Sequence, residues 1–253
     1  MKIIILAAGY ATRLQPLTLN TPKSLLSVGG KTILDRILDK IEAVDAWNSI
    51  YVVSNAKFFG NFNDWLKTYR HKDKVVIIDD GTTSNDNRLG AIKDMEIAVR
   101  THSIDDDLLV VAGDNLFELN LNDFLRFAKA RSDGVSVALY DVGSLELAKN
   151  YGIVEIDKNC KVIDFEEKPK EPKSTLSSTG LYYFPKNKLS FIEKYVTMQN
   201  KLDAPAYYIG WLSKTDTVYG YTFLEDWYDI GNIESYKKAD QKYAEKEREN
   251  GKA

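Results

Sequence analysis

The residues best equipped for chemistry crowd into one loop near the amino end: Thr12, Arg13, Thr18, Thr21, Lys23 and Ser24. Arg13 offers a planar fork that matches paired phosphate oxygens, and Lys23 a compact point charge. The loop follows an apolar run, Ile3 to Leu6, that breaks into Ala7, Ala8 and Gly9. Such a run, stopped by a glycine, reads as a buried parallel strand. Small residues after it let the backbone pass close to a ligand. The chemistry implied is the holding of a phosphate-like anion, and an ordinary first strand and turn is the alternative. No Walker motif is present, and Gly9 lacks the further glycines of a dinucleotide fingerprint.

Two lone carboxylates stand at comparable breaks. Leu108 to Ala112 is a second apolar run, and it ends in Gly113-Asp114-Asn115. Ligands of open α/β sheets bind beyond the carboxyl ends of strands, so both runs deliver functional groups to one edge. A carboxylate there suits Mg²⁺, which takes one or two carboxylates plus phosphate oxygens. For Asp114 a turn or helix cap is an equal alternative. Asp229 lies between the aromatic pair Trp227-Tyr228 and a turn at Gly231. The only histidines, His71 and His102, fall in polar surroundings at expected helix ends. Histidine-based catalysis is therefore not the chemistry here.

The elements that must position these groups alternate between strand and helix. Ile33, Ile37, Ile41 and Val44 form one stripe of an amphipathic helix over 33–44. Strands at 50–53 and 75–78 flank a helix near 61–70. The alternation argues a mostly parallel sheet covered by helices. Residues 79–90 form a long polar loop that either reads a ligand edge or is a solvated connector. A helix over 89–100 and a solvated turn at Asp105-Asp106-Asp107 precede the second apolar run. A helix near 121–131 and a strand at 135–140 follow it. From Tyr151 the texture turns antiparallel: strands at 153–156 and 162–165 flank a hairpin turn, with another strand at 181–184. A helix over 186–198, an unassigned stretch at 201–216 and a strand at 218–223 come next. The charged tail from Glu234 reads as an exposed helix that frays.

A chain of 253 residues can build one large α/β domain. Its net charge of −3 argues against nucleic acid as a partner. The single cysteine, Cys160, excludes an internal disulfide framework and reads as a buried or idle thiol. No stretch approaches a membrane span, and no leader pattern opens the chain. These features point to a cytoplasmic protein without a membrane partner.

In order along the chain, LAAGYATRLQPLTLNTPKSLLSV (6–28), VVAGDN (110–115), NYGIVEID (150–157), FEEKPKEPKS (165–174), STGLYYF (178–184) and WYDIGNIESY (227–236) resemble the sugar-1-phosphate nucleotidyltransferases. Within that family the resemblance is to the glucose-1-phosphate thymidylyltransferase and uridylyltransferase branch. It implies a Rossmann-like, mixed central sheet flanked by helices, with an inserted antiparallel portion. The whole chain would be one domain, with residues 1–145 as a nucleotide-binding half, 146–233 as a sugar-phosphate-binding half and 234–253 as a charged terminal helix.

The activity implied is nucleotidyl transfer to a sugar 1-phosphate, with UTP or dTTP and glucose 1-phosphate as first choices. CTP or GTP with another phosphorylated acceptor, a silent regulatory relative and a metal-dependent glycosyltransferase are the other readings. By the same resemblance Leu6, Ala8, Gly9, Thr12, Arg13, Lys23 and Asp114 would line the nucleotide site. Asp114 and Asp229 would hold Mg²⁺. Arg13, Lys23 and Lys168 would be the catalytic cations, and Gly152, Glu167, Lys168, Ser178 and Tyr182 would line the sugar-phosphate pocket.

The pattern departs from the family in three places. Tyr10-Ala11 stands where Ser-Gly is usual, and no glutamine occupies the expected base-reading place. That leaves Thr82, Thr83, Ser84 and Asn85 as base-reading candidates. The segment 201–206 lacks the usual acidic-rich turn. Oligomeric state, monomer or small homo-oligomer, is left open.

Overall fold

The computed structural model describes residues 1–198 and 201–250. Its strands and helices are β1 Lys2–Leu6, the ribbon β2 Ser27–Val28 and β3 Lys31–Thr32, α1 Ile33–Glu42, β4 Ser49–Ser54, α2 Phe59–Thr68, β5 Val75–Asp79 and α3 Ala91–Thr101. Next come β6 Leu108–Ala112, β7 Asn115–Phe117, α4 Leu121–Lys129, β8 Val135–Asp141 and the single turn α5 Leu145–Ala148. The antiparallel region supplies β9 Gly152–Ile156, β10 Val162–Glu167 and β11 Leu176–Phe184. The chain ends with α6 Ser190–Thr197, α7 Pro205–Thr215, β12 Val218–Phe223, β13 Trp227–Asp229 and α8 Ile233–Asn250.

One mixed sheet runs in the order β10-β9-β11-β6-β1-β4-β5, with β8 paired to β11 and β12 to β8. β6, β1, β4 and β5 are mutually parallel, whereas β11 runs antiparallel to β6. β1 has a parallel neighbour on both sides, and Ile3, Ile4 and Ile5 are all fully buried. Its side chains alternate between layers: Ile3 and Ile5 join the core under α1 and α4, and Ile4 joins the core under α3, α6 and α7. A strand buried on both faces must be apolar throughout, which is why this run is so pure. α1 begins at Thr32, whose hydroxyl accepts from the Asp35 N–H at 3.0 Å.

Several expectations need correction. The unassigned stretch contains α7, started by Pro205 at its first position. The Asp105–Asp107 turn is not simply solvated. Asp106 pairs with the Met1 amino group at 2.9 Å, and Asp107 accepts from the Tyr183 hydroxyl at 2.5 Å and the Lys186 N–H at 3.0 Å. The tail is no frayed helix either, although residues 251–253 lie outside the described residues. Ala239 and Tyr243 are buried, Tyr236 donates to the Ser27 carbonyl at 2.7 Å, and Asp240 accepts from the Gly29 N–H at 2.7 Å. Gly29 packs so tightly that a Cβ there would lie 2.7 Å from Tyr243.

Cys160 is a half-buried free thiol at a left-handed position of the β9–β10 turn. His102 ends α3 and packs against Tyr51, while His71 sits edge-on to Trp47. Among the described residues no helix is long and apolar enough to cross a membrane.

Candidate active site

Register brings the two breaks together. Leu6 and Ala112 are directly paired at the ends of β1 and β6, and the Gly113 N–H donates to the Leu6 carbonyl at 2.8 Å. A Cβ on Gly113 would fall 2.8 Å from that same carbonyl, so only glycine lets the strands stay this close as they exit. The loop is then pinned from two sides. Ser24 donates to the Gly113 carbonyl at 2.6 Å, and buried Asn55, just past β4, donates to the Ala8 carbonyl at 2.7 Å.

The second carboxylate arrives by a separate route. β13 pairs antiparallel with β7, placing Asp229 opposite Asn115, one residue from Asp114. Lys23 pairs with Asp114 at 2.9 Å, and Asn115 donates to the other Asp114 oxygen at 3.2 Å. Burial raises the Asp229 carboxyl above its ordinary range and the Asp114 charge adds to this, while Lys23, Arg13 and Lys168 pull the other way. Two neighbouring carboxylates ringed by cations form a donor set suited to a hard divalent ion that also takes phosphate oxygens. Among the described residues no group of three or more acidic, histidine or cysteine side chains could hold a metal without such help.

A cleft of about 580 Å³ opens over this edge. Leu6, Ala8, Gly9, Thr12, Arg13, Lys23 and Asp114, all expected at the nucleotide site, line it. The sugar-phosphate candidates form an adjoining cluster. Gly152 and Glu167 are opposed in the β9–β10 ladder, and a Cβ on Gly152 would meet the Glu167 carboxylate at 3.0 Å. Lys168 follows in a left-handed conformation, φ 49°, its Nζ 3.8 Å from Glu167. Burial raises the Glu167 carboxyl, with Lys168 opposing. The hydroxyls of Ser178 and Tyr182 are 3.0 Å apart. Between them β11 bulges at Gly180, φ 75°, where a Cβ would collide with Ala112 at 2.6 Å. That bulge carries β11 across the end of β6, against Ala112 and Asn115.

The 79–90 segment is a wall of the cleft rather than a detached connector. Asp80, Asn85, Arg88, Leu89 and Gly90 line it, whereas Thr83 and Ser84 are tied to Asn87 within the loop. Thr82 is buried, bonded to the Tyr10 hydroxyl at 3.1 Å and to Asp80 at 2.7 Å. Arg88 grips Asp203 through two bonds of 2.9 Å. The first N–H groups of α3 donate to the 202–203 carbonyls, Ile92 to Leu202 at 3.1 Å, which satisfies donors that a helix start leaves open.

Asp94 projects from α3 into the same cleft, 6% exposed and with no hydrogen-bond partner for Oδ1. Burial, with the charge of Asp80, pushes its carboxyl up to about 8. Asn55, Tyr10, Asp203 and Asp94 were not among the sequence-expected site residues. For Asp94 a signal existed: it lies four residues before Ala98 and beside Met95, an acid on the buried face of α3.

A mixed sheet whose central strands end at a cation-rich loop and a carboxylate pair defines a nucleotide-handling class, and the similarities found agree. The Nucleotidyl transferase family model matches residues 2–246, and the chain belongs to that family. It is 31% identical over 231 residues to the Bifunctional protein GlmU of Methanocaldococcus jannaschii, covering 91% of this chain but 51% of that protein. The chain thus spans about half the length of that relative. A Bacillus anthracis structure assigned as a glucose-1-phosphate thymidylyltransferase, solved with sucrose, superimposes with a TM-score of 0.82 at 24% identity, covering 96% of this chain and 95% of that one. A UDP-glucose pyrophosphorylase complexed with UDP-glucose gives 0.80 at 19% identity, covering 97% and 98%. At these identities the structures establish the fold, and the expected mixed α/β sheet with its antiparallel addition holds.

Proposed function

We infer that the protein transfers a nucleotidyl group from a nucleoside triphosphate to a sugar 1-phosphate and releases pyrophosphate. The observation that carries this reading is the meeting of Asp114 and Asp229 beside Lys23 and Arg13 at one sheet edge. An oxygen of the acceptor phosphate would form a bond to the α-phosphorus while the bond from that phosphorus to the β-phosphate bridging oxygen breaks. The nucleophile is already an anion, so no general base is needed, and the shortage of histidine is no obstacle. The barrier lies in bringing two anions together, and cations placed beforehand lower it.

Arg13 would bind the triphosphate and the departing pyrophosphate. Lys23 would contact phosphate near the bond that breaks, exchanging its Asp114 partner for substrate oxygens. Lys168, held beside Glu167, would receive the acceptor phosphate, and Gly152 would leave room for a sugar ring against Glu167. Asp114 and Asp229 would hold Mg²⁺, which when bound neutralises developing charge on the phosphates.

The relatives' names speak of glucose 1-phosphate, a thymidylyl group and UDP-glucose. We carry over the acceptor class, a hexose 1-phosphate, and UTP or dTTP is the donor those names favour. The test is pyrophosphate release with Mg²⁺, using UTP, dTTP, CTP, GTP and ATP each against glucose 1-phosphate and then a wider acceptor panel. Release with a triphosphate and a sugar 1-phosphate supports the reading. No release with any pair, from a protein that stays folded, refutes it.

A further inference from the structure

Arg13 does not stand on a long element. It is the middle residue of a single 3-10 turn, Thr12–Leu14, and the residue before that turn, Ala11, is left-handed at φ 46°, ψ 45°. A Cβ disfavours that conformation, so Ala11 stays in it only where its surroundings hold it there. Two donors do so, both on the Ala11 carbonyl: the Leu14 N–H at 2.9 Å and the Thr18 hydroxyl at 2.9 Å. Turning Ala11 to a relaxed conformation would swing that carbonyl away and break both bonds. The Leu14 N–H belongs to the turn and moves with it. Thr18 differs, for it lies beyond the turn and is 1% exposed, so its hydroxyl is a fixed point. On the other side of Ala11, Tyr10 is buried and bonded to Thr82 at 3.1 Å. Ala11 is thus the strained joint between two anchored positions, and Thr18 clamps it.

Resting on the nucleotidyl-transfer reading, we propose that Thr18 is a positioning residue for Arg13: its hydroxyl holds the Ala11 peptide so that the guanidinium already lines the cleft when phosphate arrives. A cation fixed in advance loses less freedom on binding than one that must first be arranged, and it meets developing charge without reorganising. Without the hydroxyl, Ala11 can relax, and Thr12 and Arg13, which follow it directly, take a new backbone direction. Thr18 itself is too deeply buried to meet a ligand. Its effect on phosphate therefore passes through the turn, and chiefly through the charged residue on it.

The experiment is a double-mutant cycle on the binding of magnesium pyrophosphate, a probe that carries phosphates but no base, followed by calorimetry. Thr18→Val keeps the shape of the side chain and removes the hydroxyl. It should weaken binding about fivefold, the scale of one lost hydrogen bond, while Thr18→Ser, which keeps the hydroxyl, stays within about twofold of wild type. In an Arg13→Ala background the same valine change should cost less than about twofold, because the group that Thr18 positions is gone. A role confined to stability predicts otherwise: a lowered melting temperature in Thr18→Val with pyrophosphate affinity kept, or an equal loss of affinity in both backgrounds. Either result overturns the assignment, as does a serine variant as weak as the valine one, or no pyrophosphate binding by wild type. Should valine prevent folding, Thr18→Ala completes the cycle. The expected cycle without pyrophosphate release from any triphosphate and acceptor sinks nucleotidyl transfer alone. Release with equal Thr18→Val losses in both backgrounds sinks the Thr18 role alone.

Discussion

Consider Asp94→Asn as a stability experiment, since it keeps the side chain's size and removes its titration. In the folded protein burial and the nearby Asp80 charge hold the Asp94 carboxyl at about 8, against about 3.9 in an unfolded chain. The direction follows from linkage. Between those values the native state retains a proton that the unfolded state has released, so the contribution is fully present below about pH 4 and is lost as pH rises toward 8. Each unit costs wild type about 1.4 kcal/mol, so from pH 5 to 7.5 the loss is on the order of 3 kcal/mol. For a chain of this size that is roughly 6–12 °C in Tm. Thermal unfolding of both proteins across that range, followed by circular dichroism, should show wild type falling relative to the variant by this margin. Parallel curves, with a constant gap between the proteins from pH 5 to 7.5, would falsify the account of Asp94 as a buried, protonated carboxyl.

Arg13→Ala should lower turnover on the order of 10²-fold or more while the melting curve stays near wild type, and near-normal pyrophosphate release would refute its role. Asp229→Asn should leave folding intact but raise the Mg²⁺ concentration needed for half-maximal activity, read from a Mg²⁺ titration of pyrophosphate release; an unchanged midpoint would remove Asp229 from the metal pair. Tyr183→Phe deletes the bond to Asp107 and should cost about 1–3 kcal/mol in denaturant unfolding, with base selectivity unmoved. Gly29→Ala places a Cβ against Tyr243 at a left-handed position, φ +56°, and should loosen α8 at a cost of about 1–3 kcal/mol. Faster amide exchange in α8 than in β1 would register it.

The strands β1 and β6 were legible because both their faces are buried, and such strands have few sequence solutions. The amino-end loop was legible because its residues are distinctive in type and order. The reason Asp114 and Asp229 meet was not, since β7 and β13 are three residues each and carry no periodicity. The docking of α8 was hidden in another way. Its apolar stripe is short, Ile233, Tyr236, Ala239 and Tyr243 amid charges, and it is tied down by backbone partners at Ser27 and Gly29 that no pattern within the helix announces. The long polar loop at 79–90 gave no sign of its partner, because Arg88 meets Asp203 across 115 positions of chain.

That last link bears on how such a protein can change. The cleft wall at α3 is shared property: Gly90 lies so close to the Leu202 carbonyl that a Cβ would sit 2.5 Å away, and α3's opening N–H groups are bonded to the same distant segment. A graft of residues 79–94 from a relative with another base preference would arrive without the 202–205 segment that shapes it. Recombination with one crossover between these stretches should yield chains that fold poorly or bind triphosphate weakly, whereas exchanging both stretches together should move preference as a unit.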